Sequence, residues 1–135
     1  MRNTRCAFVQ NAEVWGWLCL LCIMAQPVRE TEAAQALNQA LKLGLASGGL
    51  LEEIGEKYVA LGRNKLAEGV LRRAVSSSAG AHAQRLLGDA LAAQGDAEEA
   101  LKVYSAVLSR DDVSGEDRKA ASAGATQMQQ QAGRA

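Results

Sequence analysis

The side chains best suited to chemistry in this chain are two cysteines, Cys19 and Cys22, and one histidine, His82. Thiolates and imidazoles bind zinc, and a Cys-x-x-Cys pair is also a common redox unit. A structural zinc site needs four ligands, and the only histidine lies far along the chain from the cysteines. A redox pair would accompany a strand–helix unit, which the sequence does not predict. We therefore interpret both cysteines as apolar packing residues, and we predict no metal site and no cofactor.

Two pairs of adjacent acids, Glu52-Glu53 and Glu98-Glu99, could in principle serve in general acid–base catalysis. Adjacent side chains on a helix point in different directions, so exposed charge explains these pairs better. His82 has no acidic neighbour in the sequence, and we expect an ordinary solvent-facing histidine. The glycines do not form a phosphate-binding loop before a basic helix start. We therefore expect a protein that is not an enzyme.

The composition restricts both the fold and the partner. A chain of 135 residues suggests one domain, and with 4% aromatic residues its core must consist mainly of Leu, Ala and Val. A single proline and the lack of β-branched runs make a sheet improbable. Fifteen basic and fifteen acidic residues balance, so no overall field attracts nucleic acid. We therefore predict an all-α protein that does not bind nucleic acid.

Residues 87–104 predict two helices joined by a tight turn. Apolar residues recur at helical spacing on both sides of Gly95, which suits the left-handed conformation that ends a helix. Asp96 then takes the place of the N-cap of the second helix. Gly88 and Ala100 are small enough for two helices to cross closely. The stretch therefore predicts a helical hairpin in which Gly88 packs against Ala100.

The same pattern occurs 33 residues upstream. The matching positions are Ile54, Gly55, Tyr58, Gly62, Ala67, Leu71 and Ala74, against Leu87, Gly88, Leu91, Gly95, Ala100, Tyr104 and Val107. This pattern resembles the tetratricopeptide repeat family, whose unit is a helix-turn-helix of about 34 residues. The resemblance covers two complete repeats at residues 48–114. It departs from the family at Gln84, where Trp or Leu is preferred, and at Asp112, where Pro is frequent.

The resemblance implies a short right-handed superhelical array of antiparallel helix pairs, closed by a C-terminal capping helix. We expect the repeats within 28–113 and the capping helix and tail within 114–135. Ser114, three residues before Asp117, has the form of a capping box that begins this last helix. Thr31 is the candidate N-cap of a helix before the repeats. The remaining helices are predicted at about 50–61, 64–78, 81–94 and 97–110.

The segment 1–26 allows two interpretations. Arg2 and Arg5 precede an uncharged run of eleven residues, 15–25, which is typical of a secretory signal and too short to cross a bilayer. Cleavage near Ala25 would remove every cysteine, and this favours export to an envelope location. Any membrane contact would then require the uncleaved segment. The alternative continues the repeat register upstream and places Trp17, Leu20, Leu21 and Met24 on a first helix of the fold.

The resemblance implies that the concave surface, lined by the first helix of each repeat, binds another protein. Carried over residue by residue, the resemblance assigns this surface to Glu52, Glu56, Val59, His82, Arg85 and Asp89. Glu52 and Glu56 stand where chaperone-binding members need Lys and Asn, so an acidic tail would be repelled. We expect a peptide with basic and apolar residues instead.

The function expected from the resemblance is a non-catalytic scaffold or adaptor. If the segment 1–26 is an export signal, the setting would be a bacterial envelope machine for secretion or pilus assembly. The alternatives are an intracellular interaction module and a non-catalytic subunit of an enzyme complex.

Overall fold

The computed structural model describes residues 11–25, 27–45, 47–77 and 80–134, with side-chain surroundings up to residue 131. These residues form helices and connecting turns, with no strand among them, which confirms the all-α prediction. The helices are α1 (Ala12–Met24), α2 (Glu30–Lys42), α3 (Gly48–Ala60), α4 (Asn64–Ser76), α5 (Ala81–Ala93), α6 (Ala97–Leu108) and α7 (Gly115–Arg134).

The helices pack as three successive pairs followed by a single helix. The contacting pairs are α1 with α2, α3 with α4, and α5 with α6. The first helices of the pairs also contact one another, α1 with α3 and α3 with α5. Helix α7 contacts both α5 and α6 and so covers the end of the last pair. The architecture is that of a tetratricopeptide-like helical array with a terminal cap.

Glycines end the first helix of the second and third pairs, as predicted. Gly62 and Gly95 have φ values of 79° and 84°, which a side chain would strain. The amide of Gly62 donates to the carbonyl of Val59 at 3.0 Å, and the amide of Arg63 to that of Tyr58 at 2.9 Å. These two bonds form a Schellman motif, which satisfies the last carbonyls of the helix and reverses the chain.

Three predicted helix starts have different outcomes. Ser114 behaves as expected, because its Oγ accepts the Asp117 amide at 3.2 Å. Asp96 occupies the N-cap position of α6, but its side chain accepts no capping bond, and its backbone (φ −88°, ψ 73°) is not extended as a capping residue usually is. Thr31 is wrong as an N-cap, since α2 begins at Glu30 and Arg29 precedes it.

The close helix crossings depend on glycine, and at Gly88 the nearest side chain differs from the predicted one. A Cβ on Gly55 would lie 2.5 Å from the side chain of Leu71. A Cβ on Gly88 would lie 2.8 Å from the ring of Tyr104, so Tyr104, not Ala100, is the nearest side chain. Ala100 is nevertheless fully buried. Each glycine therefore makes room for a large side chain of the paired helix.

Helix α1 packs into the fold along one face. Its buried residues are Gly16, Cys19, Leu20, Cys22 and Ile23. A Cβ on Gly16 would lie 2.8 Å from Leu50 of α3, so these two helices approach closely. Of the residues that the upstream register places here, Leu20 is buried, whereas Trp17, Leu21 and Met24 are at least half exposed. Helix α1 therefore packs as a first helix of the fold, as the alternative to an export signal describes. Cleavage near Ala25 stays a prediction.

The cysteines of α1 are buried thiols. The Sγ of Cys19 lies 3.8 Å from the hydroxyl of Tyr58 on α3. Burial raises the pKa of the Cys19 thiol to about 11, which disfavours the reactive thiolate. Both side chains contribute to the hydrophobic core. No helix in the described part of the chain combines the length and apolar character needed to cross a bilayer.

Candidate protein-binding surface

The structure places the six predicted site residues on two neighbouring helices. Glu52, Glu56 and Val59 lie on α3, and His82, Arg85 and Asp89 lie on α5. Spacing of four residues puts Glu52 above Glu56, and Arg85 above Asp89, on one face of each helix. Helices α3 and α5 contact each other, so the two faces meet.

His82 joins these faces, contrary to the expectation that it lacks an acidic partner. Its Nε2 lies 3.0 Å from an oxygen of Glu56 and 3.9 Å from an oxygen of Glu52. Its Nδ1 lies 2.9 Å from Asp117 on α7. The expectation of an ordinary solvent-facing histidine missed these contacts, because all three carboxylates come from other helices and are distant in the sequence.

Asp117 is the site residue that sequence reasoning missed. Only 7% of it is exposed, and it accepts hydrogen bonds from Arg85 Nε at 3.1 Å and from Ser114 Oγ at 3.0 Å. The Ser114–Asp117 spacing did indicate the start of a helix. It could not indicate where that helix lies, because the repeat register ends before it. Helix α7 is therefore part of this surface as well as a cap.

Sequence reasoning also missed a second residue, Tyr104 of α6, which contacts Asp89 of this surface. Its hydroxyl donates to Asp89 at 2.5 Å, and Arg85 donates to the other oxygen of Asp89. Its ring lies against Gly88 on one side and against Gly124 of α7 on the other, where a Cβ would lie 2.5 Å away. Asp89 is thereby held in place by two donors, one of them fixed by packing.

The surface carries more negative than positive charge. Four carboxylates, Glu52, Glu56, Asp89 and Asp117, face one guanidinium and one imidazole. We call these six side chains the carboxylate cluster.

Proton equilibria within the cluster follow from these contacts. Partial burial alone would lower the pKa of His82, but the bonds to Asp117 and Glu56 outweigh it and raise the pKa above 6.5. Burial likewise opposes ionisation of Asp117, yet His82, Ser114 and Arg85 hold the pKa of Asp117 below its usual value. Desolvation raises the pKa of Glu52. These contacts therefore favour the protonated form of His82 and the ionised form of Asp117.

The apolar part of the predicted site is less open than expected. Val59 is half-buried and packs against the hydrophobic core, so only part of its side chain can meet a partner.

Among the residues that the structure describes, no group of His, Cys, Asp and Glu side chains is arranged to hold a metal ion.

A comparison with protein families gives one match. The model of the family described as the cilia and flagella-associated protein 70 C-terminal domain matches residues 9–128, which include all of helices α1 to α6 and most of α7. This family is of the tetratricopeptide repeat type. No curated protein matches the chain. Domains of this type bind other proteins and are typically non-catalytic.

Proposed function

Since the chain belongs to the family of the cilia and flagella-associated protein 70 C-terminal domain, we propose that it is a non-catalytic scaffold that binds a basic segment of another protein. The segment lies across α3, α5 and α7, where Glu56 and part of Glu52 in the carboxylate cluster are exposed. It contains a Lys or Arg beside an apolar residue.

The carboxylate cluster is the observation that supports this proposal. Glu56 has 48% of its side chain exposed and Glu52 has 25%, so both can reach a bound cation. Asp117 and Asp89 are held by Arg85 and stay in place beneath them. Because such ion pairs are individually weak, roughly 0–1 kcal/mol, the charge contributes more to specificity and to association rate than to affinity.

The exposed part of Val59 supplies the apolar contact. It lies on α3 one turn beyond Glu56, so a residue next to the bound cation can cover it. The partial burial of Val59 limits this contact to a small area. A partner therefore needs several such contacts along the array to bind tightly.

The family name favours a setting in cilia or flagella. The envelope secretion or pilus machine that the sequence allowed has no support from the family match. An intracellular interaction module remains compatible with the match, and a non-catalytic subunit of an enzyme complex is a further alternative. Co-purification with a catalytic chain would favour the last of these.

The test uses a fluorescein-labelled peptide of Arg-Leu pairs spaced by Gly-Ser, with a Glu-Leu peptide of the same length as the negative probe. Fluorescence anisotropy should show binding of the basic peptide only, weakening with salt. The double variant Glu52→Lys/Glu56→Lys should lose this binding, and Glu52→Gln/Glu56→Gln should weaken it without new repulsion.

A matched control reverses two exposed acids outside the cluster, Glu53→Lys and Glu98→Lys. This control has the same net charge as the first double variant and should still bind the peptide. If Glu53→Lys/Glu98→Lys lost as much affinity for the peptide as Glu52→Lys/Glu56→Lys, binding would depend on overall charge, and the proposed surface would be rejected. Circular dichroism of every variant verifies that the fold is retained.

A further inference from the structure

The carboxylate cluster already holds a cation of the protein itself. His82 presents one ring nitrogen to Glu56 at 3.0 Å and the other to Asp117 at 2.9 Å. Only the doubly protonated ring donates from both nitrogens at once. His82 therefore occupies the position between Glu52, Glu56 and Asp117 that a partner's basic side chain would need.

Helix α5, which carries His82, is packed against α3, α4, α6 and α7. Helix α3 presents Glu52 and Glu56, and α7 presents Asp117. Its own helix adds Arg85, which is bonded to Asp117 and to Asp89. Helix α6 adds the hydroxyl of Tyr104 on Asp89, and α4 is bonded just beyond the C-terminal end of α5, where Gln94 donates to Glu68. Within the part of the chain that the structure describes, the polar contacts of the imidazole are thus with carboxylates.

We propose that protonated His82 competes with the partner for Glu52 and Glu56, so that loss of its proton opens this surface to a basic side chain. The inference rests on the proposed function and adds its regulation. Protonation of one residue then adjusts the affinity across the pH range of living cells.

The two contacts of His82 respond differently when the ring becomes neutral. A neutral imidazole has one N–H and one lone pair, so it can donate to only one of its carboxylates. Asp117 is buried and needs its donors, whereas Glu56 is half exposed and can turn toward solvent. The remaining proton therefore stays on Nδ1, and the lone pair of Nε2 repels Glu56. Glu56 is the carboxylate that becomes available to the partner.

Linkage makes the effect reciprocal. If deprotonation of His82 favours the bound cation, the bound cation must lower the pKa of His82. His82 is the only histidine in the chain, so an imidazole proton signal in an NMR titration reports on it alone. Saturation with the Arg-Leu peptide should shift this titration to lower pH.

The main experiment measures the affinity of the Arg-Leu peptide between pH 6 and pH 8.5 for three proteins. The wild type should bind about fivefold more tightly at the upper end, as expected for removing one cation near the site. His82→Gln should bind tightly at every pH, because it carries no charge. His82→Arg should bind weakly at every pH, because its cation is permanent. The amino terminus titrates in the same range but is present in all three proteins.

The outcomes separate this inference from the proposed function. Equal pH profiles for the wild type and His82→Gln, with binding still lost in Glu52→Lys/Glu56→Lys, would overturn the inference and retain the function. A peptide that binds none of the proteins, or binds the charge-reversed variant as well as the wild type, would overturn both. Denaturant unfolding of both His82 variants verifies that affinity is compared between folded proteins.

Discussion

The ring of Tyr104 packs directly against the backbone of Gly88, where a Cβ atom would approach the ring to 2.8 Å. This contact holds α5 and α6 close together, and it directs the Tyr104 hydroxyl toward Asp89. Gly55 and Leu71 form the equivalent contact in the preceding pair. At positions 55 and 88 the repeat therefore requires glycine to make room for a side chain on the neighbouring helix.

Gly88→Ala should destabilise the protein by about 1–3 kcal/mol, because the added methyl group collides with the Tyr104 ring. The matched control is Gly69→Ala in α4, where nothing lies within 4 Å of the new Cβ. Replacement of a mid-helix glycine by alanine in open space should stabilise the protein by roughly 0.5–1 kcal/mol. Urea unfolding measures both, and two changes of the same sign would contradict the packing described.

Ala100→Leu should cost about 1–3 kcal/mol, because Ala100 is fully buried and the larger side chain overfills the core. Ala106→Leu lies on the exposed side of the same helix and should change the free energy of unfolding by less than about 0.5 kcal/mol. Thermal melts of the two variants distinguish the faces of α6. Similar losses would show that the buried face has been assigned wrongly.

Two adjacent leucines of α1 test whether this helix belongs to the folded protein. Leu20 is 4% exposed and Leu21 is 63% exposed. Leu20→Ala should cost about 2–5 kcal/mol in the full chain, and Leu21→Ala less than about 0.5 kcal/mol. Denaturant unfolding measures both. Mass spectrometry of the native protein adds an independent test, since cleavage near residue 25 would remove both leucines.

The stability of the fold should depend on pH through His82 and Asp117. The raised pKa of His82 adds stability that is complete below about pH 6.5 and is lost as pH rises through the folded value. The lowered pKa of Asp117 adds stability that is complete above about pH 4 and is lost as pH falls through its folded value. Together they give the greatest contribution between about pH 4 and pH 6.5.

Single variants test which residue causes the loss of stability at each end of this pH range. His82→Gln should abolish the loss at higher pH, and Asp117→Asn should reduce the loss at lower pH. Chemical unfolding at a series of pH values provides the measurement. Because His82 is partly exposed, its contribution is small, and the difference between variant and wild type is the quantity to compare. If His82→Gln lost as much stability at higher pH as the wild type does, the contacts assigned to His82 would be contradicted.

The sequence alone determined the helices of the two complete repeats and the turns within them. Helical spacing of Leu, Ala and Val defines each helix, and Gly62 and Gly95 end the first helix of a pair because the left-handed conformation is a local requirement. The resemblance to the tetratricopeptide repeat family then assigned Glu52, Glu56, Val59, His82, Arg85 and Asp89 to the first helices of the repeats. All of these features depend on residues close in sequence or on a repeated pattern.

Only the tertiary structure decided which side chains meet across helices. The orientation of α6 makes Tyr104, and not Ala100, the side chain nearest to Gly88. Asp117 reaches His82 because α7 follows the last repeat and packs on α5, which no register predicts. Helix α1 is apolar on several sides, and its packing against α2 and α3 decides that Cys19 and Leu20 are buried while Leu21 is exposed. These contacts depend on interhelical distances of a few ångströms, which local spacing does not specify.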